Sequence, residues 1–137
     1  MLLNNLVNPE IIGAVARCGH KDRILISAGN FSLQTRANKD AKQVYLSLTK
    51  GKPTSTEILD AILTVCPVEA AIVIGNKDEP PCEAHQDYTN SLGGMELEKV
   101  SPEEFYALAG EDTVKLAIQS GDYRPFSNII IQVGCSR

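Results

Sequence analysis

A histidine and an aspartate two residues apart, His20 and Asp22, are the first residues whose types and spacing could carry out chemistry. They follow an apolar run that ends at Gly19, within the stretch ARCGHKDRILIS. Histidine titrates near neutral pH and can transfer a proton, and a neighbouring carboxylate can orient its imidazole ring. In an extended chain Asp22 would point to the same side as His20. On spacing alone, a solvated turn is the favoured interpretation, and acid–base catalysis is the alternative.

Sequence motifs for several other chemistries are absent from the chain. There is no glycine-rich phosphate loop, and the stretch GKPTS is interpreted as a helix cap. There is no serine nucleophile elbow. The second histidine, His85, is far from His20 in sequence, and no carboxylate cluster has metal-ligand spacing, so no metal site is predicted. His85 stands among polar residues in CEAHQDYTN, which predicts a position on the surface of a helix.

Composition limits the classes of protein to which the chain could belong. Its 137 residues predict one domain, residues 1–137, and the hydrophobic fraction of 43% is sufficient for a core. A net charge of −4 argues against nucleic acid or an anionic membrane as a partner. No stretch is long enough to span a membrane, and the N-terminus lacks a signal peptide's basic leader. The four cysteines have no motif spacing, which favours reduced thiols in a cytoplasmic protein.

Helix and strand signals alternate along the chain. Asn8 is a suitable N-cap with Pro9 at the first helical position, and Gly19 is expected to end that helix in a left-handed conformation. Capping patterns at Thr54 and Ser101 predict two further helices. Another helix is predicted over 82–92, and a loop over 28–42. Strands are predicted over 23–27, 43–48, 68–75, 95–100, 113–121 and 128–133.

This order of elements predicts an α/β fold, in which helices flank a mixed β-sheet. The last two strands are expected to be able to pair with each other in antiparallel orientation. The apolar final strand, NIIIQV, would be a poor exposed edge, so a second copy of the chain is expected to cover it.

Several stretches together resemble the RbsD/FucU family of sugar mutarotases. The segment VNPEIIGAVARCGHKDRILIS is similar to the family's opening, where a helix ends in Gly-His before the first strand. The segments LTKGKPTSTEILDAIL, VEAAIVI, SPEEF and SGDYRPFSNIIIQVG then follow in the family's order. The resemblance covers most of the chain.

The resemblance implies a small cytoplasmic α/β protein that assembles into cyclic homo-oligomers, typically decamers, with sites at subunit boundaries. Such proteins interconvert the ring forms of free monosaccharides such as ribose or fucose and need no metal or organic cofactor. His20 matches the family's catalytic histidine. Asn128 matches the asparagine of its sugar-binding Tyr-x-Asn segment.

Several family site positions carry different residues here. Ala28 replaces an aspartate that binds sugar, and Phe126 replaces the tyrosine of Tyr-x-Asn. Gln43 and Tyr45 replace an Arg-x-Asp pair, and Pro102 replaces a binding histidine or arginine. Alanine and phenylalanine side chains cannot supply a hydrogen bond, so binding of the usual sugars is expected to be weaker.

Two functions therefore remain open, with a ring-form isomerase slightly favoured because His20 is retained. In that enzyme His20 would transfer protons and Asp22 would orient it. The residues expected to hold or enclose the substrate are Asn30, Tyr123, Phe126, Ser127 and Asn128.

The alternative is a non-catalytic oligomeric binding or regulatory protein that has lost the sugar chemistry. A weaker third hypothesis is a phosphorylated or nucleotide-like ligand held by Arg23, Arg36 and Arg124 near the pocket mouth.

Overall fold

A six-stranded mixed sheet forms the centre of the molecule, and the computed structural model describes residues 1–136 of the chain. The helices are α1 (Pro9–Arg17), α2 (Leu33–Arg36), α3 (Ser55–Leu63), α4 (Glu83–Ser91) and α5 (Pro102–Ala109). The strands are β1 (Arg23–Ser27), β2 (Lys42–Tyr45), β3 (Val68–Ile74), β4 (Glu98–Val100), β5 (Val114–Gln119) and β6 (Ile129–Val133). The predicted α/β class is thus confirmed.

The strands lie in the order β2-β5-β1-β6-β3-β4. Strand β6 is antiparallel to both of its neighbours, β1 and β3, whereas the other pairs are parallel. The predicted antiparallel pairing of the last two strands is wrong, because β1 lies between β5 and β6. The expectation that β6 is an edge is also wrong, since Ile129, Ile130 and Ile131 are fully buried at the centre of the sheet.

Helices cover both faces of the sheet because the strand side chains alternate between two apolar layers. Ile24 and Ile26 of β1 pack with side chains of α1, α3 and α4, and Leu25 packs on the opposite face with α2 and α5. Phe105 of α5 is fully buried in that second layer. None of the helices among residues 1–136 is long and apolar enough to cross a membrane.

The N-caps predicted for α1, α3 and α5 are confirmed by hydrogen bonds in the structure. The Asn8 side chain accepts a hydrogen bond from the Ile11 N–H at 3.0 Å, and Pro9 begins α1. Thr54 and Glu57 form the complete capping box of α3. The Ser101 hydroxyl accepts the N–H of the third residue of α5. These contacts satisfy backbone donors that have no partner inside a helix, which fixes where each helix begins.

Other boundaries differ from the sequence-based expectation. The predicted loop 28–42 contains α2 and the first residue of β2, and several strands are shorter than predicted. Helix α1 ends at Arg17, and the left-handed residue is Lys21, with φ of 74°, rather than Gly19. The reason is a tight turn over residues 19–22, in which the Asp22 N–H donates to the Gly19 carbonyl.

Candidate functional site

The predicted site residues lie at two opposite ends of the sheet. His20 and Asp22 precede β1, and the Lys21 N–H donates to the carbonyl of Val133, the last residue of β6. Asn30, Phe126, Ser127 and Asn128 lie where β1 ends and β6 begins. The strand from Arg23 to Ala28 spans about 16 Å at roughly 3.3 Å per residue. Within one chain the histidine therefore does not share a site with the predicted substrate-binding residues.

The turn over residues 19–22, which we call the histidine turn, is fixed to the sheet by backbone hydrogen bonds. Lys21 donates to Val133 at 2.9 Å, and Val133 donates to the Asp22 carbonyl at 2.8 Å. The Asp22 carboxylate accepts the Gly19 N–H at 2.7 Å. The side chain of Asp22 thus binds the backbone of the turn, and the expected hydrogen bond to the imidazole is not found among residues 1–136.

The carboxylate that contacts His20 belongs to Glu69 in β3, at 2.9 Å between His20 Nε2 and Glu69 Oε1. Gln132 of β6 also donates to Glu69 Oε1, at 3.2 Å. The hydrogen bond from Gln132, followed by that from His20, lowers the pKa of Glu69 below its ordinary value. Sequence reasoning missed Glu69 because the contact joins distant segments. The only signal was one charged residue inside the otherwise apolar strand VEAAIVI.

A groove of about 360 Å³ adjoins His20 at this end of the sheet. Its walls include Val15, Cys18, Cys66 and Val133. Its volume falls at the small end of the range for small-molecule sites. Burial, with a smaller contribution from Asp22, raises the pKa of Cys18 to about 11, so its thiol is protonated at neutral pH. All four cysteines are free thiols.

At the opposite end, Asn128 is held in a defined orientation. Its side-chain Oδ1 accepts the backbone N–H of Ala28 at 2.7 Å. Its Nδ2 has no hydrogen-bond partner within the described part of the chain, so the amide can donate to a ligand oxygen. Asn30 is exposed nearby, and Ala28 is nearly buried. The Tyr123 ring packs on the neighbouring Gly29, where an added Cβ would lie 2.5 Å from it.

Phe126 is a non-glycine residue in the left-handed region, with φ of 58°, and its side chain is half-exposed. Its carbonyl accepts a hydrogen bond from His85 Nε2 at 3.0 Å. The surface position predicted for His85 is wrong, because only 4% of it is exposed. Burial lowers the pKa of His85. The sequence did contain a signal for this burial, because His85 and Tyr88 are spaced by one helical turn and share one face of α4. Tyr88 is also buried.

Ser127 is fully buried, and its hydroxyl has no hydrogen-bond partner among the described residues. Its backbone carbonyl accepts a hydrogen bond from the Tyr88 hydroxyl. The Ser127 side chain is therefore not accessible at the surface of this single chain, and its role in substrate binding stays a prediction.

At this end of the sheet lies an ionic network, centred on the buried Asp122, that sequence reasoning missed. Asp122, 1% exposed, accepts hydrogen bonds from Arg124 at 2.9 Å and from the Ser55 hydroxyl at 2.8 Å. Burial alone would raise the pKa of Asp122, but these bonds lower it below its ordinary value. Arg124 also contacts Asp87 at 2.6 Å. The network anchors the loop 120–128, which carries Phe126.

The three arginines suggested for a phosphorylated ligand are engaged with protein partners. Arg124 is held by the ionic network, and Arg23 is bound to Gln132 and Glu111. Arg36 stacks on the ring of Tyr106 at 3.9 Å, on the α2–α5 side of the sheet. They do not converge on one pocket, so the geometry gives no support to a phosphate site built from them.

Of the remaining altered family positions, Tyr45 and Pro102 are exposed and Gln43 is partly buried. Tyr45 is half-exposed on the edge strand β2, where its hydroxyl donates to Gln43 at 3.1 Å. Pro102 is exposed at the first position of α5. Among residues 1–136, no group of three or more His, Cys, Asp or Glu side chains is arranged to hold a metal ion.

The fold and these two sites define a class of α/β protein. Its mixed sheet has an exposed histidine–carboxylate pair at one end and polar, ligand-accessible groups at the other. The model of the RbsD / FucU transport protein family matches residues 1–136, and the chain belongs to this family.

Related proteins and solved structures agree with that assignment. The D-ribose pyranase of Petrotoga mobilis is 31% identical over 134 residues, which cover 98% of each chain. That of Geobacillus kaustophilus is 29% identical over 137 residues, covering 99% of this chain and 96% of the relative. Bacillus subtilis RbsD, solved with D-ribose, superposes with a TM-score of 0.85 at 24% identity over the full length of both chains. FucU from Bifidobacterium longum gives 0.81 at 25% identity, over 96% of each chain.

Proposed function

We propose that this protein is a ring-form isomerase of a free monosaccharide. The observation that carries the proposal is the exposed His20–Glu69 pair beside a groove of about 360 Å³. The full-length relationship to D-ribose pyranases supports the substrate class. Opening a sugar ring requires a proton at the ring oxygen and removal of the proton from the anomeric hydroxyl. His20 carries out this proton transfer, and the reaction needs no metal or organic cofactor.

The active site of the proposed enzyme forms between two copies of the chain. His20 comes from one copy, and Asn30, Phe126 and Asn128 come from a neighbouring copy, because one chain holds these groups at opposite ends of the sheet. A neutral sugar needs several hydrogen-bonding groups to fix its orientation, and the free amide donors of Asn128 suit that role. The proposed assembly is a cyclic homo-oligomer in the cytoplasm, such as the decamer that the family resemblance implies.

Exposed apolar side chains support self-association. Leu3 is 101% exposed and its neighbours Leu2 and Val7 are more than half exposed, and Leu48, which follows β2, is 82% exposed. Large apolar side chains exposed together at the N-terminus are typical of a surface that another protein covers. They, and not the buried strand β6, are the proposed surface for self-association.

Altered residues at the sugar end favour a changed substrate preference. Ala28 and Phe126 lack polar groups that the family uses, and each lost hydrogen bond weakens binding by about 0.5–1.5 kcal/mol. The half-exposed Phe126 instead offers an apolar surface to the sugar. A deoxy-sugar, or a sugar with fewer hydroxyls on that side, fits these groups better than ribose does.

Exchange spectroscopy provides the direct test of this function. A panel of pentoses, hexoses and deoxy-sugars is screened by NMR saturation transfer between the anomeric proton signals of the ring forms. The wild-type protein should speed exchange for at least one sugar, and His20→Ala should lose roughly 10²–10⁴-fold of that rate. Glu98→Gln, which changes an exposed strand glutamate at the far edge, is the matched control and should retain the rate. Absence of any rate enhancement across the panel would favour the non-catalytic binding protein.

A further inference from the structure

We propose that Glu69 is the positioning residue for His20: its carboxylate accepts Nε2–H and leaves Nδ1 as the nitrogen that exchanges protons with the sugar. This inference rests on the proposed function. It assigns a role to a residue of β3, and it assigns the two ring nitrogens of His20 to different tasks.

The geometry distinguishes the two nitrogens of the imidazole. Nε2 of His20 lies 2.9 Å from Glu69 Oε1, while Nδ1 has no hydrogen-bond partner within residues 1–136. A carboxylate only accepts hydrogen bonds, so in neutral His20 the hydrogen is on Nε2 and the lone pair is on Nδ1. The histidine side chain is 44% exposed, which leaves Nδ1 accessible to a ligand.

An irregularity of strand β3 accounts for the position of Glu69. The pairing of β3 with β6 shifts register between Val68 and Ala70, so Glu69 stands at the shift. A bulge of this kind redirects a side chain and is common next to active sites. Here the carboxylate reaches across the end of β6 toward the histidine turn.

A chain of polar contacts holds that carboxylate in place from the other side. Gln132 donates to Glu69 at 3.2 Å and accepts from Arg23 Nε at 3.1 Å. Arg23 in turn forms an ion pair with Glu111 at 3.6 Å. The contacts run across β3, β6 and β1, so Glu69 is restrained by the sheet while the backbone of His20 is restrained by its turn. Both partners of the 2.9 Å contact are thereby positioned independently.

The charge state of Glu69 suits this role. The hydrogen bond from Gln132 and then that from His20 lower the pKa of Glu69, so the carboxylate is ionised at neutral pH. The other ionisable groups near His20 are Lys21 and Asp22 in its turn, together with the thiols of Cys18, Cys66 and Cys135 that line the groove. Asp22 is bonded to the backbone of the turn, which leaves Glu69 as the carboxylate in contact with the ring.

Two substitutions separate the hydrogen bond from the charge. Glu69→Gln keeps an acceptor for Nε2–H and removes the negative charge, whereas Glu69→Leu removes both. Both changes are on the exposed side chain of a strand, and Glu98→Leu on β4 is the matched control for stability and aggregation. NMR of the sugar-free protein reports the Nε2–H signal of His20 and the order parameter of its ring. The same samples are then assayed by anomeric saturation transfer.

If Glu69 positions His20, Glu69→Leu loses the protected Nε2–H signal and lowers the ring order parameter. Its kcat falls roughly 10²-fold, because a small misplacement of a catalytic group has that effect, while KM changes less than about twofold. Glu69→Gln retains the Nε2–H signal and has an intermediate kcat. An unchanged ring signal and kcat in Glu69→Leu would overturn the proposal.

The two proposals can fail separately in this design. A wild type without exchange activity refutes the isomerase and the proton-transfer role of Nδ1, while the ring signals of the variants still decide whether Glu69 holds the imidazole. An active wild type whose Glu69→Leu variant keeps full kcat refutes the role of Glu69 alone.

Discussion

Asn128 and Ala28 are joined by a 2.7 Å hydrogen bond from the Ala28 backbone N–H to the Asn128 side-chain Oδ1. The bond ties the residue that follows β1 to the residue that precedes β6, and it fixes which end of the side-chain amide faces outward. The carbonyl oxygen is used by the protein, and the two N–H donors are available to a substrate. A single side chain thus links the fold of this end of the sheet to its ability to bind a sugar hydroxyl.

Asn128→Asp should separate these two roles. The carboxylate still accepts the Ala28 N–H, so the free energy of unfolding should change little, but the N–H donors are lost. With a lost hydrogen bond worth about 0.5–1.5 kcal/mol, KM should rise roughly 2- to 12-fold. Urea unfolding and the exchange assay measure the two quantities. As a control, Asn128→Leu should lose both stability and binding, and an unchanged KM in Asn128→Asp would exclude Asn128 as a donor.

Mixing two impaired variants tests whether the site is shared between copies. His20→Ala and Asn128→Leu each remove one half of the proposed site. If the halves come from neighbouring copies, oligomers reassembled from an equal mixture contain native sites at about a quarter of the positions. At sugar concentrations below KM, the exchange rate of the mixture should therefore exceed the average of the rates of the two unmixed variants. A mixture that shows only this average after verified subunit exchange would contradict a site shared between copies.

Asp122 should stabilise the protein in a pH-dependent manner. Its folded-state pKa lies below the ordinary value of 3.8, so its contribution is present above about pH 4 and is lost as pH falls through the folded-state pKa. Asp122→Asn leaves the partly exposed Arg124 with Asp87 and Glu83 as its counter-charges and should cost about 1–3 kcal/mol at pH 7. Urea unfolding at pH 7 and pH 3 measures the difference between variant and wild type, which should shrink at the lower pH. A constant difference would contradict the ionic origin of the effect.

His85 should make a second contribution to the pH dependence of stability, this time from a basic side chain. Burial lowers its folded-state pKa below 6.5, so the unfolded chain binds more protons, and stability falls as pH drops from 6.5 toward the folded-state value. Wild type should therefore lose more stability between pH 7.5 and pH 5.5 than His85→Gln does. The midpoints of urea unfolding at the two pH values measure the loss of stability in each protein. Equal losses in both proteins would mean that His85 does not contribute to the pH dependence in this range.

Restoring polar groups at the altered positions should change sugar preference. Ala28→Asp together with Phe126→Tyr returns two hydrogen-bonding groups to the end of the sheet that carries Asn128. Exchange of ribose or fucose should then rise relative to wild type, with the gain mainly in KM. The single variant Phe126→Tyr is a control that disturbs the fold less, because Phe126 is half-exposed and the added hydroxyl need not be buried. A double variant that folds but shows no gain would indicate that other residues set the preference.

The sequence predicted well those features of the fold that depend on contacts between neighbouring residues. The caps at Asn8, Thr54 and Ser101 satisfy donors within three residues, so their patterns could be recognised without a structure. Strand pairing is not local, and nothing in the sequence placed β1 between β5 and β6. The identity of His20 and Asn128 as site residues came from the family resemblance, and their roles stay predictions.

The partners of the site residues could not be predicted for the same reason. Glu69 is 49 positions from His20 in the chain, and Asp122 is 67 positions from Ser55. Each pair meets only after the sheet is assembled. Asp22, the nearest carboxylate in sequence, was the natural candidate for the partner of His20. The left-handed Lys21 between them makes the tight turn that directs Asp22 to the backbone instead.

The central place of β6 also has a consequence for the order of assembly. Because β6 joins β1 to β3, a chain in which β6 is not yet in place can form only two separate half-sheets, β2-β5-β1 and β3-β4. Each half-sheet exposes the backbone edge that β6 will later occupy, and such edges favour pairing with other chains. A chain truncated shortly before residue 129 would therefore leave both of these edges unpaired and the two half-sheets unjoined.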